Sequence, residues 1–253
     1  MTDDVVHLDR VKKRFGKITA LDNMDIRIKR GEFVTFLGPS GCGKSTTLRI
    51  LGGFERPDSG TVYLSGQDVT HLPPNRRKVN MVFQDYALFP HMTVAENLAF
   101  PLEVRKMGKS DREAKVKRVL DMVQMGEFGG RRPAQLSGGQ QQRVFLARAL
   151  AQEADLYFMD EPFAGVDAAT ETAIVAVLRD LRDQGKTLMV VHHDLPTAKE
   201  YFDSLLLLNM NVVAFGPTSE VFTADKLQQT YGGRLTILSE VANALGADTS
   251  RRG

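Results

Sequence analysis

Apolar and polar residues alternate along Met24-Asp25-Ile26-Arg27-Ile28, the period of a strand with one buried face. After a turn at Gly31 the pattern changes. Phe33-Val34-Thr35-Phe36-Leu37 is mostly apolar and suits a strand buried on both faces. Val62-Tyr63-Leu64 and Met81-Val82-Phe83 predict further strands. Between residues 94 and 132 the period becomes helical. There Ser110-Asp111-Arg112-Glu113 reads as a capping box, and it opens a segment with Val116, Val119, Leu120 and Val123 at helical spacing. The basic residues Lys115, Lys117 and Arg118 are assigned to a solvated face of that helix. Strand-like runs return at 156–159, 188–191 and 205–208, with helical stretches between them. Such alternation predicts an α/β fold built on a largely parallel sheet. No internal repeat or low-complexity tract interrupts it, and the tail at 248–253 is expected to fray.

Composition narrows the class. The 253 residues suffice for one sizeable core, or a core with a subdomain. Lys plus Arg number 33 against 31 Asp plus Glu, so there is no concentrated basic excess of the kind that phosphate backbones select, and nucleic acid is not an expected partner. The single cysteine, Cys42, has no internal disulfide partner, which fits a reducing cytosol. The aliphatic run 205–208 stops at Asn209, far short of the roughly 20 apolar residues of a spanning helix. The start Met1-Thr2-Asp3-Asp4 lacks the basic opening of a secretory signal. Any service to a membrane is therefore expected to come from the cytosolic side, through other chains.

Chemistry enters at Gly38-Pro39-Ser40-Gly41-Cys42-Gly43-Lys44-Ser45, which fits G-x-x-x-x-G-K-[ST]. A predicted strand precedes it, and Ser45-Thr46-Thr47-Leu48 begins the helix it opens. Glycines let successive backbone N–H groups turn inward toward phosphate oxygens. The helix start adds partial positive charge. Lys44 is expected at the β- and γ-phosphates of ATP, and the Ser45 hydroxyl on Mg²⁺. Cys42 fills a free position of the loop.

Two carboxylates, Asp160 and Glu161, end the apolar run Leu156-Tyr157-Phe158-Met159. Ligands gather at the carboxyl ends of parallel strands. Asp160 is therefore expected near Mg²⁺, and Glu161 near the water that attacks the γ-phosphate. By themselves, two acids before Pro162 would often be a helix cap; beside a phosphate loop the catalytic reading is the stronger. Leu136-Ser137-Gly138-Gly139-Gln140 is more specific still. Ser137 and Gln140 have capping-box spacing, and Val144, Ala147 and Leu150 supply an apolar stripe after them. A simple cap would not require both glycines, whose exposed amides make a second anion site.

With these motifs in order, the chain resembles the ABC transporter ATPase family over nearly its full length. The resemblance implies that two subunits pack head to tail, each ATP lying between one chain's phosphate loop and the other's Ser137-Gly138-Gly139. It also implies roles for single residues. Phe15 matches the aromatic that stacks on adenine. Gln84 matches the glutamine that touches Mg²⁺ and the attacking water and links to the membrane partner. His193 matches the histidine at the γ-phosphate; His192 stands where relatives often have Thr and receives no such role. Asp167 matches the aspartate of the dimer-crossing loop, where Ala164 replaces the more usual Ser. By the same resemblance, transmembrane permease subunits are the direct partners and a solute-binding protein an indirect one, at the cytoplasmic face of the cell membrane. The fold implied is a P-loop core formed by 1–85 and 136–253 with an N-terminal antiparallel β-edge, and a helical subdomain at 86–135. His7, His71 and His91 are scattered and carry no metal assignment.

Within the family the pattern divides. From about residue 5 to 132, in stretches such as Phe83-Gln84-Asp85-Tyr86-Ala87-Leu88-Phe89-Pro90, the chain resembles polyamine and sugar importer ATPases. From about 143 onward, in Tyr157-Phe158-Met159-Asp160-Glu161-Pro162-Phe163-Ala164-Gly165-Val166-Asp167 and Val190-Val191-His192-His193-Asp194-Leu195, it resembles manganese, zinc and iron importer ATPases. A mosaic joined near 136–140 accounts for both. The alternatives are soluble ABC ATPases of DNA repair, which carry a long coiled-coil insert between the two nucleotide motifs, and translation-associated ones, which carry two cassettes. A third is a regulatory module without turnover, against which Lys44, Asp160, Glu161 and His193 all argue.

Overall fold

A computed structural model describes residues 3–83 and 88–232, arranged in two compact units. One unit comprises residues 3–77 and 187–232, the other 78–83 and 88–186. The first opens with β1 (Asp4–Phe15) and β2 (Ile18–Lys29), an antiparallel pair. Met24, Ile26 and Ile28 are buried and Asp25 and Arg27 exposed, as the alternation requires. Arg10, with φ of 50°, sits where the β1 register shifts, the mark of a bulge. Next come β3 (Phe33–Leu37), buried at all five positions, and α1 (Lys44–Gly52). Then β4 (Ser59–Leu64) and β5 (Gln67–Asp68) complete a four-stranded antiparallel sheet in the order β2-β1-β4-β5. The carboxyl end of α1 is held by the buried Arg77, whose Nη1 donates to the carbonyls of Ile50 at 2.7 Å and Leu51 at 2.8 Å. A guanidinium there satisfies carbonyls that the helix itself leaves open.

The second unit contains β6 (Val79–Val82), α2 (Val94–Val104), α3 (Lys109–Met122), α4 (Gly138–Leu150), β7 (Leu156–Asp160) and α5 (Ala168–Asp183). Strands β6 and β7 pair in parallel. Thr93 and Glu96 form a capping box at α2, and the fully buried Asn97 bonds both the N–H and the carbonyl of Phe89, pinning the turn before that helix. The capping box expected at Ser110 does not form. The Arg112 N–H already bonds the Gly108 carbonyl at 3.0 Å, so the helix begins at Lys109 and Ser110 lies inside its first turn. Val116, Val119, Leu120 and Val123 are buried as expected. The basic residues of α3 divide. Lys117 is exposed beside Asp121, whereas the Lys115 side chain is only 12% exposed and its Nζ lies 2.7 Å from Glu153.

The chain then returns to the first unit with β8 (Thr187–Val191), α6 (Leu195–Tyr201), β9 (Ser204–Asn209) and β10 (Asn211–Pro217), followed by α7 (Thr218–Val221) and α8 (Ala224–Tyr231). Strand β3 lies between β8 and β9, parallel to both, and β10 folds back antiparallel on β9. The fold is α/β, with mainly parallel core strands, an antiparallel sheet and helices between the strands in sequence. Leu205, Leu206, Leu207 and Leu208 are wholly buried, so the aliphatic run is a core strand. Among the described residues no helix is long and apolar enough to cross a membrane. The tail at 248–253 lies outside the described residues.

Candidate functional site

In the first unit the glycine-rich loop joins β3 to α1. Gly43, with φ of 104°, is the residue before α1; a Cβ there would lie 2.5 Å from the carbonyl oxygen of Ala20 and 2.5 Å from Leu21. A Cβ on Gly38 would overlap the Leu208 carbonyl oxygen. Only glycine fits either position. The start of α1 has no side-chain cap and no acid in its first turn. Among the described helices of eight or more residues it alone lacks both. The positive end of the helix dipole is thus opposed by no carboxylate of its own first turn, which favours an anion there. Lys44 curls over the loop, its Nζ donating to the carbonyls of Gly38 at 2.7 Å and Pro39 at 3.1 Å. Those contacts hold the ammonium at the mouth of the loop. Cys42 is buried, and burial raises its thiol pKa, so it sits there as a neutral filler. Ser40 and Gly41 are exposed on the loop; Ser45 and Thr46 are half-buried in the first turn of α1.

His193 is exposed just beyond β8. His192, next to it, is buried, and burial lowers its pKa to about 4. Phe15 ends β1 and is 48% exposed; Lys13 Nζ lies 5.1 Å from its ring centroid.

The second unit holds the acidic and glycine-rich elements. Asp160 is buried as the last residue of β7. Glu161, next, adopts φ of 51°, the left-handed conformation that a non-glycine residue enters at a cost. Buried Gln142 of α4 donates to the Pro162 carbonyl, tying that helix to the acidic turn. Sequence periodicity had no signal for this contact. At the start of α4 the expected capping box is present: the Gln140 N–H donates to Ser137 Oγ at 3.3 Å, and the Ser137 N–H to Gln140 Oε1 at 3.0 Å. The Gly138 and Gly139 amides have no acceptor among the described residues. A Cβ on Gly138 would meet nothing within 4 Å, and one on Gly139 only ordinary contacts, so the fold of this chain does not itself require glycine at either position. Asp167 caps α5, with Oδ1 taking the Thr170 N–H at 2.8 Å and Oδ2 the Thr170 hydroxyl at 2.9 Å; these bonds lower its pKa.

Gln84 lies outside the described residues. His7, given no metal role, stands with Asp9 and Asp25, their ligand atoms within 4.8 Å of one another. Asp9 is already paired with Arg10 at 3.0 Å.

Comparison with known proteins identifies the family. The profile of the ABC transporter family matches residues 21–164. The manganese transport system ATP-binding protein MntB of Bacillus subtilis (strain 168) is 44% identical over 255 residues, covering 95% of this chain and 98% of that protein. The spermidine/putrescine import ATP-binding protein PotA of Pseudomonas aeruginosa (strain UCBPP-PA14) is 40% identical over 255 residues, covering 99% of this chain and 70% of that protein. Both matches run along nearly the whole chain. The dimeric ATP-binding cassette MJ0796, in a post-hydrolysis state bound to ADP and Pi, superposes with a TM-score of 0.77 at 35% identity, over 84% of this chain and 98% of that one. This chain is therefore a member of the ABC transporter family, an ATPase subunit of it.

Proposed function

We propose that the chain hydrolyses ATP in a head-to-tail dimer with a second copy of itself and so energises an importer for a small solute: a polyamine, a sugar or a divalent metal ion. The observation that carries this reading is the mismatch between two helix starts. The one at Lys44 is uncapped and has its own ammonium; the one at Gly138 offers two unpartnered amides on open surface. The second suits the phosphate of an ATP held by another chain.

In this reading the amides of 38–45 and Lys44 bind the phosphates, Phe15 stacks on adenine, and His193 reaches the γ-phosphate. Glu161 orients the attacking water and accepts its proton, while the partner's copy of the Ser137-Gly138-Gly139 segment stabilises the charge that develops. A hydroxyl and a carboxylate are hard oxygen donors of the kind that Mg²⁺ takes. Ser45, Asp160 and Gln84 would hold it, and it would neutralise phosphate charge when bound. Asp167 belongs to the loop that crosses the dimer. The chain sits at the cytoplasmic face of the cell membrane on permease subunits, with a solute-binding protein acting on those subunits. The division of pattern between 5–132 and the residues after 143 supports a mosaic of two importer types, and aligning each part separately tests it: one and the same importer class for both parts overturns it.

Glu161→Gln tests the mechanism. Hydrolysis is expected to fall by at least about 100-fold, and light scattering should show a dimer that persists with ATP and not without it. An unchanged rate overturns the role of Glu161. A slow enzyme that stays monomeric at saturating ATP overturns the shared site.

A further inference from the structure

Two histidines stand side by side at the end of β8, one exposed and one buried. His192 is only 4% exposed, its ring 5.6 Å from that of Phe202 and 5.9 Å from that of His193. Its N–H donates to the Phe36 carbonyl at 3.2 Å, tying the backbone to β3. Its Nε2 lies 2.7 Å from Thr197 Oγ1, which in turn lies 3.0 Å from Asp194 Oδ2.

The hydroxyl of Thr197 has one proton, and an ionised carboxylate only accepts. That proton therefore goes to Asp194, and His192 Nε2–H donates to the Thr197 oxygen. With the Thr197 proton directed to Asp194, whose backbone carbonyl also lies 3.4 Å from Oγ1, the bonds run from imidazole to hydroxyl to Asp194, and His192 is assigned the neutral Nε2–H tautomer. Burial favours the same neutral form. The relay closes a short loop: it starts on residue 192, passes through the first turn of α6, and returns to residue 194. His193 lies between its two ends. An apolar residue would fill the space beside Phe202 without desolvating an imidazole, so packing alone does not account for a histidine here.

We propose that His192 is a positioning residue for His193, holding through Thr197 and Asp194 the turn that presents His193 to nucleotide. This rests on the reading that His193 contacts the γ-phosphate. The histidine sets the turn by donating a hydrogen bond at a fixed reach, and a glutamine amide nitrogen can supply a donor at similar reach.

The test measures steady-state ATP hydrolysis, affinity for a fluorescent ATP analogue and thermal midpoint in the purified chain. Thr197→Val removes the hydroxyl and keeps the shape. It is expected to lower kcat roughly tenfold, with KM for ATP within about twofold and a midpoint lowered by no more than a few degrees, as expected for one buried donor that loses its acceptor. His192→Ala should match it, and His192→Gln should recover most of the rate. If His192→Ala fails to fold, Thr197→Val and His192→Gln still decide the matter. In a His193→Ala background, Thr197→Val should cost nothing further, because the two act through one contact. A wild-type rate for Thr197→Val, or the same tenfold loss with His193 absent, overturns the positioning role while leaving that of His193 intact. A wild-type rate for His193→Ala overturns both.

Discussion

Helices α1 and α4 both start on glycine-rich turns, and they start differently. Helix α1 has no cap, no acid in its first turn, and glycines that the surrounding backbone makes obligatory. Its lysine is folded over the loop. Helix α4 is capped by its own Ser137 and Gln140, and its two glycines have room for a side chain. The first keeps its lysine on its own loop and has no cap of its own. The second satisfies itself at Gln140 and leaves two amides over. The fold requires glycine at Gly43, whereas at Gly138 it leaves space for a Cβ.

Substitutions in the two loops separate these cases. Lys44→Ala removes the only ammonium of the first loop, and hydrolysis is expected to fall by roughly 10²- to 10³-fold, read by phosphate release. A variant that still turns over normally would break the assignment. Gly138→Asp is expected to cost on the order of 100-fold by placing a carboxylate where a phosphate should come. Its thermal midpoint and single-chain nucleotide affinity should stay at wild-type values, since a side chain at 138 meets nothing of its own chain. Mixing the two inactive variants sharpens the comparison. A mixed dimer contains one intact first loop facing one intact second loop, so activity should reappear. If mixing restores nothing, the two helix starts do not share a nucleotide across chains.

Stability separates the loops again. Gly43→Ala forces a left-handed φ of 104° on a side chain that also collides with Ala20 and Leu21. A loss of about 1–3 kcal/mol is expected in urea unfolding. Gly138→Ala should stay within about 0.5 kcal/mol of wild type. Equal losses at the two positions would erase the distinction between the loops.

Much of this is legible in the order of residues alone. Strand β3 has the bounds 33–37 that its apolar run implies, because five buried residues between turns leave little choice of period. The cap of α4 is legible because Ser137 and Gln140 bond each other at a separation of three residues, through local backbone geometry. The same kind of signal misleads at Ser110. There the Gly108 carbonyl starts the helix two residues earlier, and a serine with a glutamate three residues on can equally occupy a helix interior. Long-range pairs have no local signature at all. Lys115 meets Glu153, Gln142 meets Pro162, and Arg77 caps α1, each over a separation that periodicity does not sense. Of the candidate site, the residue types and their order are readable. The capping state of each helix start, which distinguishes the two loops, requires the structure.

Ser137→Ala is the mildest change and bears on whether the second loop's cap is part of its chemistry. At 3.3 Å the hydroxyl is a long acceptor for the Gln140 amide, and the group is exposed. The stability cost should therefore lie at the low end for a cap, about 0.5 kcal/mol. The Gly138 and Gly139 amides remain after the substitution, so hydrolysis should drop only severalfold, and Ser137→Thr, which keeps a capping hydroxyl, should restore the stability. If turnover instead collapses as it does in Gly138→Asp while stability barely moves, the hydroxyl has left its cap to reach the partner's phosphate. The α4 start would then be a switch between self-satisfaction in the single chain and nucleotide in the dimer, with the serine, more than the glycines, carrying the difference from α1.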